Sequence, residues 1–227
     1  MIHKLPSIPV KKWVDEYLSH KEYLTPTTLC ALMTSYGSDK GDERHNYTTL
    51  YSKLFAPWKE QKINLFELGI GTNFPDIPFN MGIEGNPGAS LYGWADYFSH
   101  AQIYGADIDQ RILFNEKNIH TFFCDQRDKN SIQNLFSNED LKDITFDIII
   151  EDGLHEFEAN LTFLENSLHK LKTGGIYIIE DLTAASRIAF IDRTPKLKNA
   201  FHLKYVEVIT IPSSLNRFDN ALLIIQK

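Results

Sequence analysis

Apolar positions along the chain follow two different periods. Up to about residue 60 they recur at helical spacing. Val10, Val14, Tyr17 and Leu18 share one face of a stretch from Val10 to Leu18, and Pro26 to Met33 starts as a helix with proline in its first turn. A polar loop, Tyr36-Gly37-Ser38-Asp39-Lys40-Gly41, separates these from a third amphipathic stretch, Tyr47 to Leu54. From residue 63 onward, short apolar runs alternate with helical patterns. The runs cover residues 63–68, 101–108, 119–125, 146–152 and 175–181. Between the last two, Phe157, Leu161, Leu164, Leu168 and Leu171 mark a helix. Strands separated by helices of this length predict βαβ units and a parallel sheet, and uninterrupted isoleucine runs fit strands buried on both faces.

The rhythm breaks at the C-terminus. Residues 203–211 and 221–227 read as strands joined only by PSSLNRFDN, a hairpin that adds an antiparallel strand to the sheet. The fold class expected is therefore α/β, a Rossmann-like doubly wound sheet, mostly parallel with an antiparallel C-terminal hairpin strand. Residues 1–60 form an N-terminal helical segment with a lid role, and residues 61–227 a cofactor-binding domain.

Composition narrows the function classes. The 227 residues suit one domain, and with 43% hydrophobic and 23% charged residues the chain is an ordinary globular one. A formal net charge of −7 repels a phosphate backbone, so no nucleic-acid partner is expected. Cys30 and Cys124 lack metal or redox spacing and read as free thiols of a reducing compartment. The N-terminal stretch has no apolar core of a signal peptide, and no run approaches the ~18 residues of a membrane span. A cytoplasmic location is the expectation.

Candidate chemistry collects at predicted strand ends. Phe66-Glu67-Leu68-Gly69-Ile70-Gly71-Thr72-Asn73 closes the first strand with two glycines that permit a tight turn and close ligand approach. A dinucleotide fingerprint wants a third glycine where Phe74 stands, and Glu67 ahead of the glycines suits an ammonium group better than a pyrophosphate. Asp107 with Ile108, ending the second strand, suits ribose hydroxyls; Asp109 reads better as a loop carboxylate. Asp125 and Gln126 follow the third strand, within reach of an adenine edge. Glu151-Asp152-Gly153-Leu154-His155 and Glu180-Asp181 then bring up to four carboxylates to one rim, a set of oxygen ligands suited to Mg²⁺. Helix N-capping is the alternative for Asp152 and Asp181. His155 is a candidate general base.

At these residues the chain resembles class I S-adenosylmethionine-dependent methyltransferases, and more closely the metal-dependent sugar O-methyltransferases of the macrocin and mycinamicin type. The resemblance runs from about Tyr36 to Leu182. Its most specific parts are YGSDK followed by His45 and Tyr47, PGASL with Trp94, DGLH, and IED at 179–181. It implies that Glu67, Gly69, Gly71 and Asn73 line the methionine part of S-adenosylmethionine, helped by Ser38 and Lys40. It likewise implies that Asp107 holds the ribose, that Asp125 and Gln126 border the adenine, that Asp152, Glu180 and Asp181 bind Mg²⁺, and that His155 and Asp152 form the catalytic pair. Glu151 and Leu154 depart from the Asp and Ser of those relatives.

The function expected is Mg²⁺-assisted methylation of a sugar hydroxyl in polysaccharide or glycoside biosynthesis. The Pro-, Gly- and Asn-rich segment from Phe74 to Gly88 is expected to be an acceptor-binding loop or lid. Other polar acceptors (an amine, a phosphoramidate-like nitrogen, a catechol) remain open, as do an NAD-dependent oxidoreductase and a module that binds cofactor without turnover. The N-terminal helices could pack against a second copy in a homo-oligomer, and Trp13 and Trp58, read as exposed aromatics, are compatible with an interface and equally with core or lid packing.

Overall fold

The computed structural model describes residues 6–227. The reading of the N-terminal stretch lies outside the described residues where it concerns residues 1–5. Three helices come first, α1 (Val10–Ser19), α2 (Thr28–Tyr36) and α3 (Tyr47–Phe55). The remainder runs β1 (Asn64–Leu68), α4 (Ala89–Tyr97), β2 (Gln102–Asp107), β3 (Asn115–Glu116), β4 (Ile119–Phe123), α5 (Lys129–Ser137), β5 (Phe146–Glu151), α6 (Phe157–Ser167), β6 (Leu171–Ile179), α7 (Ala184–Ala200), β7 (Tyr205–Thr210) and β8 (Ala221–Gln226). One eight-stranded sheet results, in the order β3-β4-β2-β1-β5-β6-β8-β7.

The five central strands β4, β2, β1, β5 and β6 are parallel, as the βαβ pattern requires. β8 enters antiparallel beside β6 and carries β7 antiparallel on its outer edge, so the hairpin expected at the C-terminus is present. β1 sits between β2, which follows it, and β5, which comes much later. Strand order reverses at that boundary, and the crevice at the carboxyl ends of β1 and β5 is where an open α/β sheet binds ligands.

Side-chain alternation explains the isoleucine runs. In β5, Ile148 and Ile150 face a core built with α1–α4, and Ile149 between them faces a second core built with α5–α7. Ile176 and Ile178 against Tyr177 and Ile179 divide in the same way along β6, as do Leu222 and Ile224 against Leu223 and Ile225 along β8. The N-terminal helices share the first core: Val14, Tyr17, Met33, Leu50 and Phe55 pack into it with Leu65 and Ile103 of the sheet.

Three expectations need correction. The fifth run, expected at 175–181, is a strand from Leu171 to Ile179, which leaves Glu180 and Asp181 just beyond its end. The helix expected through Leu171 stops at Ser167, and a short 3-10 turn covers Leu168–Lys170. Trp58 is buried and its indole donates to the Pro6 carbonyl, while Trp13 is half-buried against the first core, so the exposed reading of both gives way to its alternative, core packing. Both cysteines are free and buried. Among the described residues, no helix is long and apolar enough to cross a membrane.

Candidate active site

The turn after β1 is fixed by close backbone packing. Gly69 has φ +80°, and a Cβ there would lie 2.0 Å from the Asp152 carbonyl oxygen. No other residue fits, because the turn at the end of β1 is pressed directly onto the turn at the end of β5. Asp152 N–H donates to the Leu68 carbonyl and Gly69 N–H to the Ala106 carbonyl, so three strand ends are tied together. Two non-glycine residues of this rim, His155 (φ +57°) and Asp181 (φ +54°), adopt left-handed backbone conformations. Such strain persists only where the surroundings over-determine it, and it gathers at functional sites. Neither Asp152 nor Asp181 serves as a helix cap: α6 begins after Glu156 and α7 after Thr183.

A cavity of about 630 Å³ opens over these strand ends. Ser38, Lys40, Glu67, Gly69, Gly71, Asp107, Ile108, Asp125, Gln126, Asp152, His155 and Asp181 all lie on its wall. Asn73 does not; Thr72 takes the place on the wall at that turn. The 74–88 segment has no helix and supplies a further side, with Phe79 and Met81 on the wall and Phe79 edge-on to His155 at 5.6 Å between ring centroids.

At the floor, Lys40 is the central cation. Its Nζ donates to Asp152 Oδ2 and Glu180 Oε2, each at 2.5 Å, and stands 3.4 Å from Glu67 Oε1. Burial alone would lower its pKa, but Asp152, Glu180 and Glu67 together hold it well above the ordinary lysine value. Glu67 accepts from Ser90 Oγ and Trp94 Nε1, each at 2.6 Å. Lys40 thus stands beside Glu67, and both line the cavity. Glu180 is occupied on both oxygens, by Lys40 and by Tyr51 Oη at 2.6 Å. Asp181 accepts from Tyr47 Oη at 2.7 Å and has His45 Nδ1 3.3 Å away; burial, then the neighbouring Asp152 and Glu180, push its pKa well up.

Asp152, His155 and Asp181 each offer one ligand atom within 4.8 Å of the others, and Asp181 also groups with His45 and Asp219. Burial lowers the His155 pKa, outweighing the opposing pull of Asp152, and its Nδ1 is buried with no hydrogen-bond partner among the described residues. At the other end of the cavity, Asp107 accepts the backbone N–H groups of Ile70 (3.0 Å) and Asp109 (2.9 Å). Asp109 is pulled down to about 2 by its hydrogen bond with Arg111, in line with a structural loop carboxylate. Asp125 is held low by Arg127, and the Gln126 amide is turned toward Glu151 and Leu154.

Sequence reasoning missed Tyr51 and Asp219 altogether, and found His45 and Tyr47 only through the resemblance. An aromatic residue one helical turn after Tyr47 was the available signal for Tyr51, and it reads equally well as core.

This arrangement defines a class I methyltransferase fold with an acidic rim at the switch point of its sheet. Within that class, the relatives of the chain are sugar O-methyltransferases. It is 31% identical over 184 residues to the 8-demethyl-8-alpha-L-rhamnosyl tetracenomycin-C 2'-O-methyltransferase of Streptomyces olivaceus, covering 80% of this chain and 45% of that protein. It is 28% identical over 183 residues to the demethylmacrocin O-methyltransferase of Streptomyces fradiae, covering 76% of this chain and 43% of that protein. The chain therefore spans less than half the length of these relatives. Among solved structures, the MycE methyltransferase of the mycinamycin biosynthetic pathway, in complex with Mg and SAH, shares the fold with a TM-score of 0.66 at 21% identity, covering 89% of this chain and 55% of that one. No family model matches the chain.

Proposed function

We propose that the chain is an S-adenosylmethionine-dependent O-methyltransferase that methylates a sugar hydroxyl with the help of Mg²⁺, His155 acting as general base. The observation that carries this reading is the one continuous cavity that joins the Gly69 turn and Asp107 to Asp152, His155 and Asp181. The sugar-modifying names of the relatives support the acceptor class.

The residues fit both groups. Gly69 makes a cradle that any Cβ would fill, and His155 Nε2 stands 3.9 Å from Asp181 Oδ2 at a rim of carboxylate oxygens, its Nδ1 being buried without a partner among the described residues. Gly69 and Gly71, with Ser38 and Glu67, would line the methionine part of S-adenosylmethionine, Asp107 and Ile108 would hold its ribose, and Asp125 would border the adenine. Asp152 and Asp181, with Glu180 adjoining, would hold Mg²⁺. When bound, the two groups supply an electrophilic methyl on sulfur and a Lewis acid that lowers the pKa of a coordinated hydroxyl.

The protein's own contribution follows from its geometry. A His155 lowered in pKa by burial is neutral near pH 7, the form that accepts a hydroxyl proton, a step of roughly 10²–10⁴ in rate. Phe79 stands edge-on to the ring, and Gly37 to Gly41 with Glu43 and Arg44 supply another part of the cavity wall, where the N-terminal segment would act as a lid. Lys40 neutralises part of the carboxylate charge at the floor, so Asp152 keeps its position.

The test is transfer of labelled methyl from S-adenosylmethionine to a panel of glycosides with adjacent free hydroxyls, with and without EDTA. Wild type labels at least one glycoside, and His155→Ala loses about 10²–10⁴ in rate while still binding S-adenosylhomocysteine. Labelling of amines alone, or full activity of His155→Ala, would sink the reading.

A further inference from the structure

Gln126 leaves β4 at the nucleoside end of the cavity, yet its amide turns away from that end and toward the exit of β5. Its Oε1 accepts the Leu154 N–H at 2.8 Å, and its Nε2 donates to Glu151 Oε1 at 3.0 Å and toward Asn160 Oδ1 of α6 at 3.5 Å. Glu151 Oε1 also accepts the Gly153 N–H at 3.1 Å. Both ends of the amide are therefore committed to protein groups: Leu154 and Glu151 belong to the turn that bears Asp152 and His155 or flank it, and Asn160 belongs to the helix that follows.

We infer that Gln126 is a positioning residue for the Asp152–His155 turn, acting through Leu154, Gly153 and Glu151, and that its side chain does not read the adenine. The inference rests on the function proposed above. Three observations on the turn show why it needs an external strut. His155 sits at φ +57°, so the turn does not hold this shape by backbone preference. Glu156, the residue just before α6, makes no side-chain cap, so the helix start does not fix the turn either. A Cβ at position 153 would lie 1.8 Å from Gln126 Oε1, so glycine is required there to admit the amide. The glycine of the DGLH motif is thus explained by Gln126 rather than by a ligand.

The amide accordingly couples two parts of the cavity, the loop at the adenine end and the turn that carries the base and a carboxylate. A small rotation of that turn would displace His155 from the hydroxyl it must face, and reaction rates are sensitive to misplacement on the scale of an ångström.

Three variants test this: Gln126→Met, which keeps volume but loses the hydrogen bonds; Gly153→Ala, which evicts the amide; and Glu151→Gln, whose amide oxygen still accepts from Gln126 and Gly153. The readouts are hydrogen exchange of the Leu154 amide by ¹⁵N NMR, Mn²⁺ affinity, and S-adenosylhomocysteine affinity by calorimetry. Gln126→Met and Gly153→Ala should speed Leu154 exchange about tenfold. They should also weaken Mn²⁺ about tenfold, as loss of an outer-shell partner does. S-adenosylhomocysteine affinity should move by less than about twofold. Glu151→Gln should keep Leu154 protected and Mn²⁺ bound. A role in stability alone would lower the melting temperature and leave Mn²⁺ affinity of the folded protein as it was, which would overturn the proposal. So would a Gln126→Met protein that loses S-adenosylhomocysteine about tenfold with Leu154 exchange unchanged, since that is an adenine contact. If wild type takes up neither S-adenosylhomocysteine nor Mn²⁺, the function proposed falls, and Leu154 exchange in Gln126→Met still decides for or against the strut.

Discussion

The α-carbon of Gly69 rests against the backbone carbonyl of Asp152 with no room for a methyl group between them: a Cβ would stand 2.0 Å from the oxygen. This contact joins the turn that would cradle a cofactor to the turn that carries the catalytic candidates. It places the switch point of the sheet and the acidic rim in one rigid unit.

Gly69→Ala tests that unit. The substitution meets both a backbone clash and a positive φ, so the two turns must separate. The expected outcome is a lower melting temperature together with loss of measurable S-adenosylhomocysteine binding. A Gly69→Ala protein with wild-type affinity would show that the two turns need not touch.

Lys40→Met removes the ammonium that the buried Glu67 and Glu180 and the partly buried Asp152 share. Breaking a buried ion pair by deleting one partner costs about 3–5 kcal/mol, because the remaining charges stay buried. Urea denaturation should show a loss on that scale, and added Mg²⁺ should recover part of it by replacing the missing positive charge. An unchanged midpoint would mean that the carboxylates are held neutral without Lys40.

Asp109 links the sheet to the 74–88 loop. Its carboxylate accepts from Thr72 Oγ1 and from Arg111, which also reaches Asp76 and stacks on Phe74 at 3.8 Å. Its pKa is depressed to about 2 from an ordinary 3.8, so its stabilising effect is complete above the ordinary value and is lost as pH falls toward 2. Asp109→Asn should melt a few degrees below wild type at pH 7, with the gap narrowing below pH 4. A gap independent of pH would assign the effect to packing.

Much of this architecture was legible in the chain, and the exceptions share a cause. Period-two burial in the isoleucine runs of β5 and β6 follows from backbone geometry, so the sheet and its carboxyl-end chemistry could be read directly. Asp152, His155 and Asp181 follow, because each stands within four residues of a strand end, and all three lie on the cavity wall. Side-chain direction elsewhere depends on partners distant in sequence. Lys40 and Gln126 reach the cavity wall, but the partners that orient them, Glu67, Asp152 and Glu180 for the one and Glu151 and Leu154 for the other, are not legible from spacing. α7 carried no clear apolar stripe, with Pro195 inside it and Ile188 and Ile191 exposed, so its seventeen residues gave no helical signal. Trp58 in a polar stretch reads as surface or core alike, and Pro6 and the first core decide for burial.

The most direct test of the central claim is a calorimetric titration of the wild-type protein with S-adenosylhomocysteine, in Mg²⁺ and again in EDTA, with NADH titrated in parallel. Saturable, one-to-one binding of S-adenosylhomocysteine and none of NADH is the result expected from Glu67 and Asp107 on the cavity wall. Binding of NADH in its place would contradict the cofactor assignment and make the chain an oxidoreductase.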